Sequence, residues 1–73
     1  MNAAEMFEKL GFEKNKFNGW FSWCKTGAIN NMISFYLEDK YFFCEYYGHV
    51  NRIDMPLLKA INQQCRELGW LDE

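Results

Sequence analysis

The chain has 73 residues, a net charge of −2 with both signs interspersed, and fourteen aromatic residues. A chain this short is expected to form one domain over residues 1–73 that buries only roughly 60% of the surface its unfolded form exposes, so the core is small and not every ring fits inside it. There is no polybasic tail, no stretch of about 18 apolar residues to span a membrane, and no basic flank at the N-terminus for an export signal.

The three cysteines, Cys24, Cys44 and Cys65, are odd in number and widely spaced, which suits reduced thiols better than a disulfide framework. Together with the absent export signal, this points to the cytoplasm of a host cell. Met1 at one end and a helix stop close to the other suggest a complete small gene product.

Asn2 to Leu10 reads as a short helix, with Asn2 as N-cap, Glu5 as its capping-box partner, and Ala3, Met6, Phe7 and Leu10 on one face. Gly11 and Phe12 end it: glycine at C′, then an aromatic at C″. From Phe17 the chain turns to aromatic and β-branched residues. Asn18-Gly19 between Phe17 and Trp20 is a hairpin signal, since a type I′ turn needs positive φ at both central positions. The upstream arm EKNK is a poor strand. Two readings follow, a small hairpin or a loop entering a first strand at Trp20 to Lys25, and the second is adopted.

After Thr26-Gly27, alternation places Ile29, Asn31, Ile33, Phe35 and Leu37 against Asn30, Met32, Ser34 and Tyr36, the pattern of a strand with one more apolar face. Glu38, Asp39 and Lys40 supply a turn into YFFCEYY, Tyr41 to Tyr47, which Gly48 and His49 break. With Asp39-Lys40 as a two-residue turn, Leu37 faces Phe42, Phe35 faces Cys44 and Ile33 faces Tyr46. Met32, Tyr36, Tyr41, Phe43 and Tyr47 then lie on the opposite face.

Val50 to Ile53 leads into the clearest element of the chain, DMPLLKAINQQCRELGW, for which the preceding segments supply the surface to be covered. Asp54 is its N-cap and Pro56 falls in the first turn, where a missing N–H costs nothing. Leu57, Leu58, Ile61, Cys65 and Leu68 form an apolar stripe. Gly69 at C′ and Trp70 at C″ repeat the ending seen at Gly11 and Phe12. The expected fold is α+β: helix, a three-stranded antiparallel meander, then helix, with both helices on one face of the sheet.

The second half resembles a type of small uncharacterised protein common in phages and prophages of Gram-positive bacteria. In that type a strand pair I-x-F…K-x-F precedes a helix ending in K-A-I-N-x-Q…E-L-G-W. The matching residues are Ile33, Phe35, Lys40 and Phe42, then Lys59, Ala60, Ile61, Asn62 and Gln64, and finally Glu67, Leu68, Gly69 and Trp70. The resemblance implies an accessory phage protein and brings no functional residues with it.

Catalysis is not expected. Nucleophilic chemistry needs a thiol or hydroxyl beside an oriented base, and His49 is the single histidine, with no third group evident to orient it. Cys24, Cys44, Cys65 and His49 could add up to a zinc set, but no C-x₂₋₄-C knuckle is present. Glu38 and Asp39 are ordinary turn residues. No metal, cofactor or small-molecule substrate is implied.

Two surfaces carry a functional signal. The outward face of Met32, Tyr36, Tyr41, Phe43 and Tyr47 suits a protein interface, either self-association or a host protein, because a monomer seldom exposes so much contiguous ring and methionine area. The alternative is single-stranded nucleic-acid binding by the basic and aromatic segment from Lys14 to Lys25, with Lys16, Trp20, Trp23 and Lys25 as the contacts. Three lysines are a thin footprint for that role.

Overall fold

The computed structural model describes residues 1–25, 31–46 and 53–71, with Tyr46 described through its backbone alone. The element order is α1 (Ala3–Lys9), β1 (Glu13–Phe17), β2 (Trp20–Lys25), β3 (Asn31–Tyr36), β4 (Tyr41–Tyr46) and α2 (Met55–Glu67). The chain gathers into two compact units: Met1–Gly11 with Arg52–Glu73, and Phe12–Asn51.

In the helical unit both helices begin and end as their sequences dictate. The Asn2 side chain accepts from the Glu5 N–H at 2.8 Å while Glu5 Oε1 accepts from the Asn2 N–H at 3.1 Å, a closed capping box. Asp54 Oδ1 accepts from the Leu57 N–H at 3.0 Å, and Pro56 sits in the first turn. At the far end of α2 the Trp70 N–H donates to the Cys65 carbonyl and the Gly69 N–H to the Arg66 carbonyl, each at 3.0 Å. These two bonds, with Gly69 at φ +75°, make a complete Schellman cap. Gly11, at φ +91°, donates to Glu8 in the same way.

The apolar stripe of α2 differs from the expected one. Leu57, Ala60, Ile61, Gln64 and Cys65 are buried, whereas Leu58 is 45% exposed. At about 100° per residue the five buried positions span an arc of about 140°, from Ala60 through Gln64, Leu57 and Ile61 to Cys65, and Leu58 falls just outside its edge. α1 buries Ala3 and Phe7. The two helices are tied by Glu67, whose Oε2 accepts from the buried Ala3 N–H at 2.7 Å and from Gln63 Nε2 at 3.0 Å.

The sheet unit has four antiparallel strands in the order β1-β2-β3-β4, so the three-stranded meander is corrected to four. The added strand is EKNKF, whose composition alone predicts a loop and not a strand. All five of its residues are exposed, so no alternation of burial marks it. It forms through its partners. The Asn18-Gly19 turn sets Phe17 opposite Trp20, their rings stack at 4.1 Å, and Lys14 Nζ lies 4.5 Å from the Phe21 ring centroid and 5.8 Å from that of Trp23. The hairpin therefore forms, and not the adopted loop; within its turn positive φ is confined to Gly19, at +85°, the pattern of type II and not of the type I′ that an Asn-Gly pair favours.

The β3–β4 register also moves. Tyr36 pairs with Tyr41, Phe35 with Phe42 and Ile33 with Cys44, closed by a four-residue turn, Leu37 to Lys40, with Lys40 at φ 56°. This is a shift of two residues from the expected pairing. Side chains alternate with period two, so the shift leaves every described residue on its expected face.

Phe21, Trp23, Ile33 and Phe35 lie on one face and are at most 5% exposed; together they make the core side of the sheet. Phe21 and Phe35 stack at 5.1 Å, and Phe42 extends the stack at 5.6 Å.

Candidate functional site

The opposite face is ordered in rows, because direct cross-strand partners sit side by side. Phe17, Trp20, Tyr36 and Tyr41 are successive partners on β1, β2, β3 and β4. Their rings stack in one line: Phe17 to Trp20 at 4.1 Å, Trp20 to Tyr36 at 5.2 Å, and Tyr36 to Tyr41 at 4.9 Å, with interplanar angles of 14°, 10° and 14°. Phe43, one row along, leans back to Tyr36 at 5.5 Å. The row spans about 15 Å, three inter-strand spacings. Its ends are open, Phe17 being 50% and Tyr41 45% exposed.

Beside the rings runs a row of smaller side chains, Asn15, Ser22, Ser34 and then Phe43. Ser22 and Ser34 are 1% and 0% exposed, and among the described residues Ser34 Oγ has no hydrogen-bond partner. The next row holds Cys24 and Met32. Cys24 Sγ accepts from Asn15 Nδ2 at 3.4 Å and lies 3.3 Å from Ser22 Oγ. Burial pushes the Cys44 and Cys65 thiols above their ordinary pKa.

Of the residues expected to form an interface, Met32, Tyr36, Tyr41 and Phe43 share this face, and Tyr47 lies outside the described residues. Phe17 and Trp20 belong to the same row and were missed as part of it. The signal was available, since a two-residue Asn-Gly turn makes its flanking residues direct partners.

The residues expected to contact nucleic acid are divided. Trp20 stands in the ring row, whereas Trp23 is on the core face and 1% exposed. Lys16 and Lys25 alternate with Trp23 parity, and Lys25 Nζ lies 5.8 Å over Phe12. Base stacking needs an accessible ring face. In the row nearly parallel neighbours cover those faces, leaving the end faces of Phe17 and Tyr41, the ring edges and the tyrosine hydroxyls.

His49 lies outside the described residues, and so do the Cys44–His49 pairing and the zinc set that require it. Among the described residues no three metal-ligating side chains of the His, Cys, Asp and Glu types gather. No described helix is long and apolar enough to cross a membrane.

The described residues thus form an α+β fold, with two helices and a four-stranded antiparallel sheet. No family model matches the chain, and neither the curated proteins nor the solved structures contain a match to it.

Proposed function

We propose that the chain is a small accessory protein of the phage type that works in the host cytoplasm without chemistry of its own, binding another protein, a second copy or a host protein, through the aromatic row of its sheet. The observation that carries this reading is the stacked line Phe17–Trp20–Tyr36–Tyr41 with exposed ends. Stacked rings are held rigid, so little side-chain freedom is lost when a partner covers them. They present positive ring edges and two tyrosine hydroxyls, which suit carbonyl oxygens, carboxylates and the faces of other rings. A nucleobase would find two ring faces at most.

A photo-crosslinking residue at position 17, compared with one at the exposed Asn62 of α2, tests this in producing cells. A discrete protein adduct from position 17 and none from position 62 is the expected result. No adduct at position 17, combined with salt-sensitive quenching of tryptophan fluorescence by a single-stranded oligonucleotide, would reverse the assignment in favour of nucleic acid.

A further inference from the structure

The two edges of the sheet differ in kind, and backbone parity shows what each offers. The Leu37 N–H donates to the Gly19 carbonyl at 3.1 Å, continuing the β2–β3 register by one pair. In an antiparallel ladder hydrogen-bonded pairs alternate with non-bonded ones, so Phe21–Phe35 and Trp23–Ile33 are also bonded pairs. The backbone groups of Met32, Ser34 and Tyr36 therefore point to β4, where they meet Glu45, Phe43 and Tyr41. Phe42, Cys44 and Tyr46 are left with their N–H and C=O groups on the outer edge. The same parity leaves Lys14 and Lys16 on the outer edge of β1.

Lysines at an edge discourage strand addition. β1 has two of them, whereas β4 has no lysine, proline or glycine, and Glu45 is its one charge. Tyr41 and Phe42 are 45% and 39% exposed. Among the described residues no strand pairs with the far side of β4.

We infer that β4 pairs antiparallel with β4 of a second copy across a two-fold axis at Phe43, joining the two sheets into one of eight strands. The second copy is the occupant because β4 is complementary to itself. In this register Phe42 bonds reciprocally with Cys44 of the other copy, matching outward groups with outward groups. Phe43 meets its own counterpart, and Glu45 falls opposite Tyr41, whose hydroxyl can donate to its carboxylate. A register centred on Glu45 would oppose two like charges. Pairing β4 with a second copy's β1 would set apolar residues beside Lys14 and Lys16 and would not close. One short strand offers less than the roughly 1,200 Å² of a standard interface, so the dimer is expected to dissociate on the order of micromolar concentration. This inference concerns the sheet edge and does not depend on the ring face being a binding surface.

Sedimentation of the whole chain over a wide concentration range tests it, alongside amide chemical shifts at each concentration. The mass is expected to rise from 8.8 kDa toward twice that value, with the Phe42 and Cys44 amides shifting and those of Lys14 and Lys16 unchanged. Phe42→Lys, which copies the β1 edge at an exposed position, is expected to hold the chain as a monomer with an unchanged circular dichroism spectrum. In Phe42→Cys the new thiol lies opposite Cys44 of the second copy, at the Cα separation of about 5.5 Å that a disulfide accepts. Mild oxidation should give a covalent dimer through that pair, identified by peptide mass. A dimer whose shifts fall instead on the Trp20 and Tyr36 rings would overturn edge pairing while supporting the ring face as an interface. A monomer at every concentration would overturn edge pairing alone, since the adduct at position 17 judges the face separately.

Discussion

Tyr36 is the residue on which the ring row turns, and its removal gives the most direct measure of what the row contributes. It stacks on Trp20 at 5.2 Å, Tyr41 at 4.9 Å and Phe43 at 5.5 Å. Each such pair is worth about 0.5–1.5 kcal/mol beyond burial, so the three lost in Tyr36→Ala should cost about 1.5–4.5 kcal/mol. The whole stability expected of a chain this length is only about 4–11 kcal/mol. Urea unfolding followed by circular dichroism reads the change as a lower midpoint at constant slope. The control is Leu37→Ala, the adjacent residue, which is 41% exposed and should cost about 0.5 kcal/mol or less as a surface change. A double-mutant cycle with Trp20→Ala should return a coupling of about 0.5–1.5 kcal/mol. If Tyr36→Ala costs no more than Leu37→Ala, or the coupling is zero, the rings are merely adjacent and the rigid-row argument fails.

Other positions give independent checks. Glu67→Ala leaves the buried Ala3 N–H without its 2.7 Å acceptor and should cost about 1–2 kcal/mol in urea unfolding, with Glu67→Gln recovering part of it. Ser34→Ala removes a buried hydroxyl that has no partner among the described residues, so it should be neutral or raise stability by up to about 1 kcal/mol; a clear loss would mean the hydroxyl is hydrogen-bonded. Burial raises the Cys44 and Cys65 thiols in the folded state, so both should label more slowly than Cys24 with a thiol reagent at pH 8. The sign for stability follows from the same shift. Their contribution is full below the unfolded thiol pKa of about 8.5 and is lost as pH rises through the higher folded values, so melting temperature should fall on the alkaline side, and less so in Cys44→Ala.

The helices were legible because capping is local chemistry. Asn2, Glu5, Asp54, Pro56, Gly11 and Gly69 all act within a few residues of where they stand. The β3–β4 faces were legible for a different reason: an error of two residues in register does not change parity. β1 was not legible, since nothing in EKNKF is buried and its support comes from rings and a cation–π contact on β2. Leu58 and Gln64 exchanged places because residue type suggests a stripe while helix geometry selects its direction. Half of the ring row, Tyr36 and Tyr41, could be assigned in advance, but its length could not. Phe17 joins it only once β1 exists, Trp20 joins it through its partner Tyr36 on β3, and the same alternation that places Trp20 in the row sends Trp23 to the core.

The bond from Ala3 to Glu67 spans 64 positions of sequence and sets the first turn of the chain against the last turn of its final helix. The start of α1 and the last turn of α2 are therefore neighbours, and a covalent cross-link between those two turns would close a loop of more than sixty residues. Such a link would leave the described hydrogen bonds of the two helices in place while the unfolded ensemble lost the freedom of that long loop.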